Sequence, residues 1–468
     1  MNTVIIGSGP AGLAFANYAI KANPNEKILI IEKDKVIGGC HKVNRIDGYF
    51  CEHGPRIYLS NYINFKKLLK SMDLDFNQLF IKKYRLISIL NKLIITDGIF
   101  NLSELLAITR DFILVIFNNQ HGINISMYDY MKFNNFSNKT IENIDLFCRT
   151  FDGGDSSKIS LNQFISVSIQ SLFYSVYVPR LPNDEGLFKY WQKFLENKKV
   201  KFLLNSPVIK IIENNNKIEK IILANGKEIK ADRFIFAIPP ENLIKIEGLK
   251  EAFKLTDEYI EQTDYNEYIS ITFHWDYKLT LEDDVSTFNR KTDWGLIPSN
   301  MGDYMTFKEY NSKSVISCAI ILPDVKGKIY NKTANECNKE ELFEETYEQL
   351  RLIYKNIPKP KLYFINNYYD TEKKQWKSNE TAFIKIPNYD YLDFKSPNYS
   401  NLYNLGTHNG KHKNSFTSLE SAISNSIKLS NIIYNKQEKI RRCFDVRDFT
   451  IVILAIIILI ILWKLYNT

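Results

Sequence analysis

The stretch that most restricts the fold is the first: MNTVIIGSGPAGLAFANYAIKANPNEKILIIEK. Residues 3–6 form a short apolar, β-branched run, the pattern of a buried parallel strand. Residues 11–22 are alanine-rich with apolar positions at helical spacing, and Asn23-Pro24-Asn25 stops them. Residues 27–31 read as a second buried strand, ending at Glu32. Between the first strand and the helix sits Gly7-Ser8-Gly9-Pro10-Ala11-Gly12. Alone, such a triplet is a tight turn. Here a carboxylate follows twenty residues after Gly12, at the end of the next strand, and the unit reads as a dinucleotide cradle. Gly7 permits the turn, Gly9 lets backbone approach a pyrophosphate, and Gly12 lets helix and strand pack closely. The helix N-terminus, with Pro10 and Ala11, faces the anion, and Glu32 faces a ribose hydroxyl. A strand, turn and helix without a ligand is the alternative.

The chain has 468 residues, enough for two or three subdomains around large cores. Its 61 basic and 53 acidic residues leave a net charge of +8, scattered rather than striped, so no nucleic-acid partner is expected. Six cysteines (Cys40, Cys51, Cys148, Cys318, Cys337, Cys443) show no C-x-x-C pair and no regular spacing. Neither a disulfide framework nor a metal site is expected, which favours a reducing compartment. The opening strand leaves no room for a signal peptide. Residues 449–466, beginning FTIVILAIIILIILW, are apolar on every face and follow Lys436, Lys439, Arg441, Arg442 and Arg447. They read as a single-pass membrane anchor, a little short for a hydrocarbon core of about 30 Å unless Lys464 snorkels. The alternative is a buried terminal helix. The basic flank places the body on the cytosolic side of the endoplasmic reticulum, the mitochondrial outer membrane or another intracellular membrane.

Beyond Glu32-Lys33, Gly38-Gly39 makes a tight turn, Asp47-Gly48 another, and Glu52-x-Gly54-Pro55 closes the unit. Helical patterning covers 62–72 and several pieces of 102–177; the turn Asp152-Gly153-Gly154-Asp155 is assigned no chemistry. A helix at 187–197 precedes a strand meander with hairpin signals at Asn214-Asn215-Asn216 and Asn225-Gly226, ending in a strand at 233–238. Further strands are expected at 268–275, 315–322 and 361–368, with a helix near 340–357. A last strand, glycine loop and helix follow in NLYNLGTHNGKHKNSFTSLESAISNSIKLSNII.

Four blocks, in order, resemble the flavin-containing amine oxidase superfamily, which includes monoamine and polyamine oxidases, protoporphyrinogen oxidase and phytoene desaturase. They are the opening fingerprint with Glu32; Gly38-Gly39 through Gly54-Pro55; Pro207-Val208 with the meander ending Ala237-Ile238-Pro239; and Leu405-Gly406 through Ser418-Leu419-Glu420-Ser421-Ala422. The resemblance implies an α/β fold: a Rossmann-type FAD-binding domain with a mixed sheet, an inserted α+β substrate domain and a C-terminal transmembrane helix. The FAD-binding domain would comprise residues 1–75, 187–245 and 396–435. A helical insertion would fill 76–186, the α+β substrate domain 246–395, a basic linker 436–448 and the anchor 449–466.

The resemblance also implies a function: two-electron oxidation of a small organic substrate by hydride transfer to flavin, amine oxidase-like, with oxygen or a quinone as acceptor. The alternatives are a protoporphyrinogen oxidase- or phytoene desaturase-like dehydrogenase, and a catalytically lapsed flavoprotein. Its cofactor contacts would be Gly7, Gly9, Pro10, Ala11, Gly12, Glu32, Lys33, Gly38, Gly39, Pro55, Arg56, Val208, Gly406, Thr407 and Leu419. Trp376 and Phe383 resemble the family's aromatic pair beside the flavin, and His274 lies on a strand entering the substrate region; these three are the catalytic candidates. His408 and His412 flank Gly410 in the last loop. The sequence departs from the family at Cys40, where an arginine is usual, and at Thr407, where an acid is usual. Ala382 stands where some members attach flavin covalently, so the FAD is expected to be noncovalent. Ile269 or Ser270 aligns with the family's lysine.

Overall fold

The computed structural model describes the whole chain except residues 1, 92–96, 266–267, 282–291, 308–311, 381, 385–390, 411–413, 415–416 and 468. Strands Asn2–Ile6 (β1), Lys27–Ile31 (β2), Lys201–Leu203 (β3), Arg233–Phe236 (β4) and Leu402–Asn404 (β5) form one sheet, ordered β5-β4-β1-β2-β3. Every neighbouring pair is parallel. A parallel sheet is covered on both faces, which is why Val4, Ile5, Ile30, Phe234, Ile235 and Phe236 are all buried. The mixed sheet expected from sequence is therefore two sheets. The meander strands Val208–Asn214, Lys217–Leu223 and Glu228–Lys230 form their own antiparallel sheet. Their turns fold the strands back on themselves: Asn215 and Asn216 take φ of 48° and 57°, and Gly226 takes 81°.

Eight helices are used below: Pro10–Ala22 (α1), Ile63–Ser71 (α2), Leu102–Phe117 (α3), Asn138–Asp152 (α4), Leu161–Ser171 (α5), Lys339–Ile353 (α6), Leu419–Tyr434 (α7) and Val446–Tyr466 (α8). Local capping starts several of them. Asn101 with Glu104, and Asn338 with Glu341, form capping boxes, while Ser137, Ser160 and Ser418 each accept a bond from the first turn. Helices α3 to α5 share a core around Met127, Met131, Ile144 and Ile165. Residues 76–186, expected to be purely helical, also hold strands Phe80–Arg85 and Ser175–Pro179, paired antiparallel beside Tyr58–Leu59. A register shift between Lys82 and Tyr84 breaks the alternation that would have betrayed the first of them.

A second, antiparallel sheet contains Leu296–Asn300, Ser314–Ile320, Ile269–Trp275 and Leu362–Ile365, backed by Leu342 and Leu350 of α6. The strand expected at 361–368 divides at Asn366. Its backbone N–H goes to Ser270 O at 2.9 Å and its side chain donates to Glu380 Oε2 at 3.0 Å, so the chain leaves the sheet. Asn367–Asp370 then pairs with Gln375–Ser378 instead.

Helix α8 begins at Val446, three residues before the expected start, because Asp445 and Asp448 cap its first turn reciprocally. Its 21 residues span about 31 Å at roughly 1.5 Å per residue, enough to cross a bilayer. The basic stretch before it is no free linker. Asn64 Nδ2 donates to Arg441 O at 2.8 Å, Arg441 N returns a bond to Asn64 Oδ1 at 2.9 Å, and Glu438 binds Lys21 and Lys67.

Candidate cofactor and substrate site

The glycine turn sits at the C-terminal edge of the parallel sheet, where α/β sheets bind ligands. Gly7 takes φ of 102°, and a Cβ there would lie 2.5 Å from Ala237 O. A Cβ on Gly12 would lie 2.2 Å from Gly7 O, so only glycine lets α1 approach β1 this closely. Gly9 differs: its Cβ would meet only Gly39 Cα, at 3.6 Å. The space beside Gly9 is a cradle that a side chain would fill. Gly38 and Gly39, both at positive φ, fold against this turn, with Gly38 N donating to Ser8 O at 3.0 Å.

Glu32 is buried and braces the turn. Its Oε2 accepts from Ser8 N at 2.8 Å and Ser8 Oγ at 2.6 Å, and its Oε1 from Asp34 N at 3.1 Å. Lys33 is exposed. Val208 is the buried first residue of the meander. On the other side, β4 and β5 are parallel to β1, so the chain leaves β5 at the same edge. Gly406 is held between Asn409 Oδ1, 2.8 Å from its N, and Asn425 Nδ2, 2.6 Å from its O. Thr407 begins the short turn after it, and Leu419 is the buried first residue of α7. Helix α7 packs along α1, where Ser426 Oγ donates to Ala11 O at 2.9 Å. With Pro10 as its first residue, α1 presents a second helix start to the same region.

Segment 40–56, which follows the Gly38-Gly39 turn, carries buried polar atoms with no partner among the described residues: His41 Nδ1, Glu52 Oε1, His53 Nε2 and Arg56 Nε. Arg56 Nη2 donates to Cys40 O, bringing a guanidinium to the position where the resemblance has its arginine. Pro55 is the half-buried residue that precedes it. Burial pushes the Glu52 carboxyl up to about 8 against the pull of Arg56, so it is a neutral acid at pH 7. Burial, then Arg56, pushes His53 down to about 3. His53 Nδ1 lies 2.9 Å from Ser378 Oγ, which itself donates to Glu380 Oε2 at 3.3 Å. That arrangement puts the imidazole proton on Nδ1 and leaves a lone pair on Nε2. Glu52 and His53 thus form a neutral donor and a neutral acceptor side by side. Sequence reasoning passed over both. The motif Glu52-x-Gly54-Pro55 marked the segment, but their burial depends on strands more than two hundred residues away: Ser270 Oγ donates to Glu52 O at 2.7 Å.

The catalytic candidates are not brought together. His274 is buried, with Nε2 on Phe50 O and Nδ1 on Ser312 Oγ, each at 2.9 Å; both ring nitrogens are spent on structure, and burial lowers it to about 4. Trp376 packs in the core of the second sheet, its indole N–H donating to Cys337 O at 3.2 Å. Phe383 lies elsewhere, its ring 6.2 Å from His408 and 6.0 Å from Tyr265. His408 is buried, 3.0 Å from Asn404 Oδ1. His412 falls outside the described residues. A cavity of about 270 Å³ touches Trp376 and not His274, Phe383 or His408, and is lined also by Gly153, Gly154, Lys158, Tyr265 and Tyr268. The turn given no chemistry is therefore part of its wall. Tyr268 also stacks on His53, ring centroids 5.7 Å apart and 16° from parallel.

A family model for flavin containing amine oxidoreductases matches residues 128–425, and one for an NAD(P)-binding Rossmann-like domain matches residues 5–72. The chain belongs to the flavin containing amine oxidoreductase family. It is a flavin-dependent oxidoreductase. An oxidoreductase from Methanosarcina mazei shares the fold with a TM-score of 0.63 and 15% identity, over 92% of this chain and 99% of that one. A protein of Exiguobacterium sp. 255-15, provisionally named a protoporphyrinogen oxidase, gives 0.60 at 15% identity over 93% and 99%. Putrescine oxidase bound to putrescine gives 0.59 at 14% identity over 93% and 100%. No curated protein matches the sequence. The residues present fit the family's cofactor: the cradle at Gly9 admits a pyrophosphate, and the unpartnered atoms of His41, Glu52, His53 and Arg56 offer hydrogen bonds to a polar ring system. Among the described residues no group of three or more His, Cys, Asp and Glu could hold a metal ion.

Proposed function

We propose that this oxidoreductase holds FAD noncovalently between α1 and α7 and oxidises a small amine. The observation that carries the reading is the run of ring contacts from Tyr265 on the cavity wall through Phe383 to His408 beside Gly406. Bound there, the flavin supplies a two-electron acceptor for hydride. The chain does the rest. Gly7, Gly9 and Gly12 with the α1 N-terminus hold the phosphates, and Glu32, fixed by Ser8, orients the ribose. Arg56 supplies positive charge near Gly38-Gly39. Tyr265, Tyr268 and Phe383 exclude water from the reacting end, and the Nε2 lone pair of His53 offers a neutral hydrogen-bond acceptor. On the cavity wall, Asp324 accepts from Asn335 Nδ2 at 2.9 Å and, among the described residues, has no cationic partner, which suits an ammonium. Oxygen or a quinone takes the electrons away.

The membrane is part of the proposal. Helix α8 tethers the enzyme to an intracellular membrane with the body on the cytosolic side, and this tether also favours a second reading, dehydrogenation of a lipophilic tetrapyrrole or isoprenoid. One experiment separates the readings. Purified protein is exposed anaerobically to amines, tetrapyrroles and isoprenoids while the yellow absorbance is followed. Bleaching by an amine supports the first reading and bleaching by a lipophilic substrate alone supports the second. A protein that neither carries nor takes up FAD would overturn both.

A further inference from the structure

Helix α3 carries apolar residues on both sides. Facing the core are Glu104, Asp111 and Val115, all buried, with Ala107, Ile108, Phe112 and Ile116 half-buried against the same core. Leu102, Leu106, Ile113 and Phe117 recur at helical spacing on the opposite side, between 49% and 73% exposed. The rotation is fixed by the inward carboxylates. Glu104 accepts from Asn101 N at 2.8 Å, Ser137 N at 2.6 Å and Thr140 Oγ1 at 2.8 Å. Asp111 accepts from Tyr130 OH at 2.8 Å and lies 2.6 Å from His121 Nε2. Turning the apolar stripe inward would strip both carboxylates of these partners and push them into water. The outward stripe is thus specified by the sequence, and water is a poor solvent for it.

The opposite, buried side of α3 packs against the root of α8. Val446 is buried in the same core as Val115 and Ile165. Arg447 Nε donates to Val115 O and its Nη2 to Ser166 Oγ, each at 3.4 Å, so the first turn of α8 is wedged between α3 and α5. Tyr174 OH donates to Phe444 O at 2.8 Å, and the exposed ring of Phe173 lies 6.4 Å from that of Phe444 and 5.7 Å from that of Phe449.

We propose that the outer face of α3, with Phe173 and Phe444, is immersed in the interfacial layer of the same bilayer that α8 crosses. The body then rests on the membrane in one orientation instead of swinging on a tether. This rests on α8 spanning the bilayer, and it goes beyond it: a wedged helix fixes direction, and the exposed apolar stripe of the helix beside it fixes depth.

The test uses the full chain reconstituted in phosphatidylcholine–phosphatidylserine vesicles. An environment-sensitive fluorophore is attached at Leu106→Cys, at Ile457→Cys within α8, or at Tyr190→Cys on a distant helix, with the identically labelled parent giving the background from Cys40 and Cys443. The expected result is blue-shifted emission, quenched by nitroxide-bearing lipid, at 106 and 457, and water-like emission at 190. Quenching at 457 with water-like emission at 106 would overturn the immersed face and leave the anchor standing. Water-like emission at 106 and 457 together would overturn the anchor reading itself. A label at 106 that is shielded but not quenched by the lipid nitroxide would place the stripe against a second copy of the chain and overturn the proposal.

Discussion

Glu32 Oε2 accepts two hydrogen bonds from one residue, the N–H and the hydroxyl of Ser8. The acid expected to meet a ribose therefore also fixes the loop that would cradle the pyrophosphate. Hydrogen bonds to a charged group contribute about 1.5–3 kcal/mol. Ser8→Ala should destabilise the fold by roughly 1–2 kcal/mol, since the backbone bond survives. Glu32→Gln should weaken FAD retention more than it lowers the urea midpoint. Equal FAD affinity in Glu32→Gln and wild type would remove Glu32 from the cofactor site.

The glycines separate folding from binding. Gly12→Ala places a carbon 2.2 Å from the Gly7 carbonyl oxygen, a backbone atom that cannot yield, so little soluble protein is expected. Gly9→Ala makes only an ordinary 3.6 Å contact with Gly39 Cα and should fold, yet emerge colourless because its methyl group fills the cradle. Gly48→Ala, at φ of 82° with nothing within 4 Å, should cost only about 1 kcal/mol and keep its flavin. Circular dichroism with flavin absorbance reads all three. A yellow Gly9→Ala protein would refute the cradle.

Trp376 and Phe383, paired by resemblance, should part company in mutants. Trp376 is a core residue with its indole N–H satisfied, and Trp376→Ala should cost about 3–5 kcal/mol. Phe383 packs between Tyr265 of the cavity wall and His408. Phe383→Ala should also cost about 3–5 kcal/mol, since its ring is equally buried, but should slow substrate oxidation in the protein that remains folded. A stable but inactive Trp376→Ala protein would reverse this assignment.

Local signals carried the first wall of the site. The Gly7–Gly12 turn, the strand at 27–31, the helix at 187–197 and the Asn-rich hairpins are set by residues within a few positions of one another, and the structure has them there. What sequence left dark depends on distant partners. Glu52 and His53 look like surface charges until Ser270 and Ser378 are seen to enclose them. Helix α3 reads as amphipathic either way round, and only Ser137, Thr140 and Tyr130 show that its carboxylates face inward. The stretch 436–448 reads as a basic linker because its partners, Asn64, Lys21 and Lys67, lie near the other end of the chain.

The neutral Glu52 makes a prediction with a definite sign. Its folded pKa is raised by burial from an ordinary 4.5 to about 8, so between those values the native state binds a proton that the unfolded chain has released. Stability from this group is complete below about 4.5, declines as pH rises, and is lost once pH passes about 8. The slope is at most about 1.4 kcal/mol per pH unit. Glu52→Gln carries the same neutral shape at every pH and lacks the slope. Urea midpoints of the flavin-free proteins, measured from pH 5 to pH 8, should therefore fall in the wild type relative to Glu52→Gln. Arg56→Gln, which removes the nearby positive charge that favours the carboxylate, should carry the fall to higher pH. Parallel curves for wild type and Glu52→Gln would show that Glu52 is already ionised in the fold, and would remove the neutral acid from the pair beside His53.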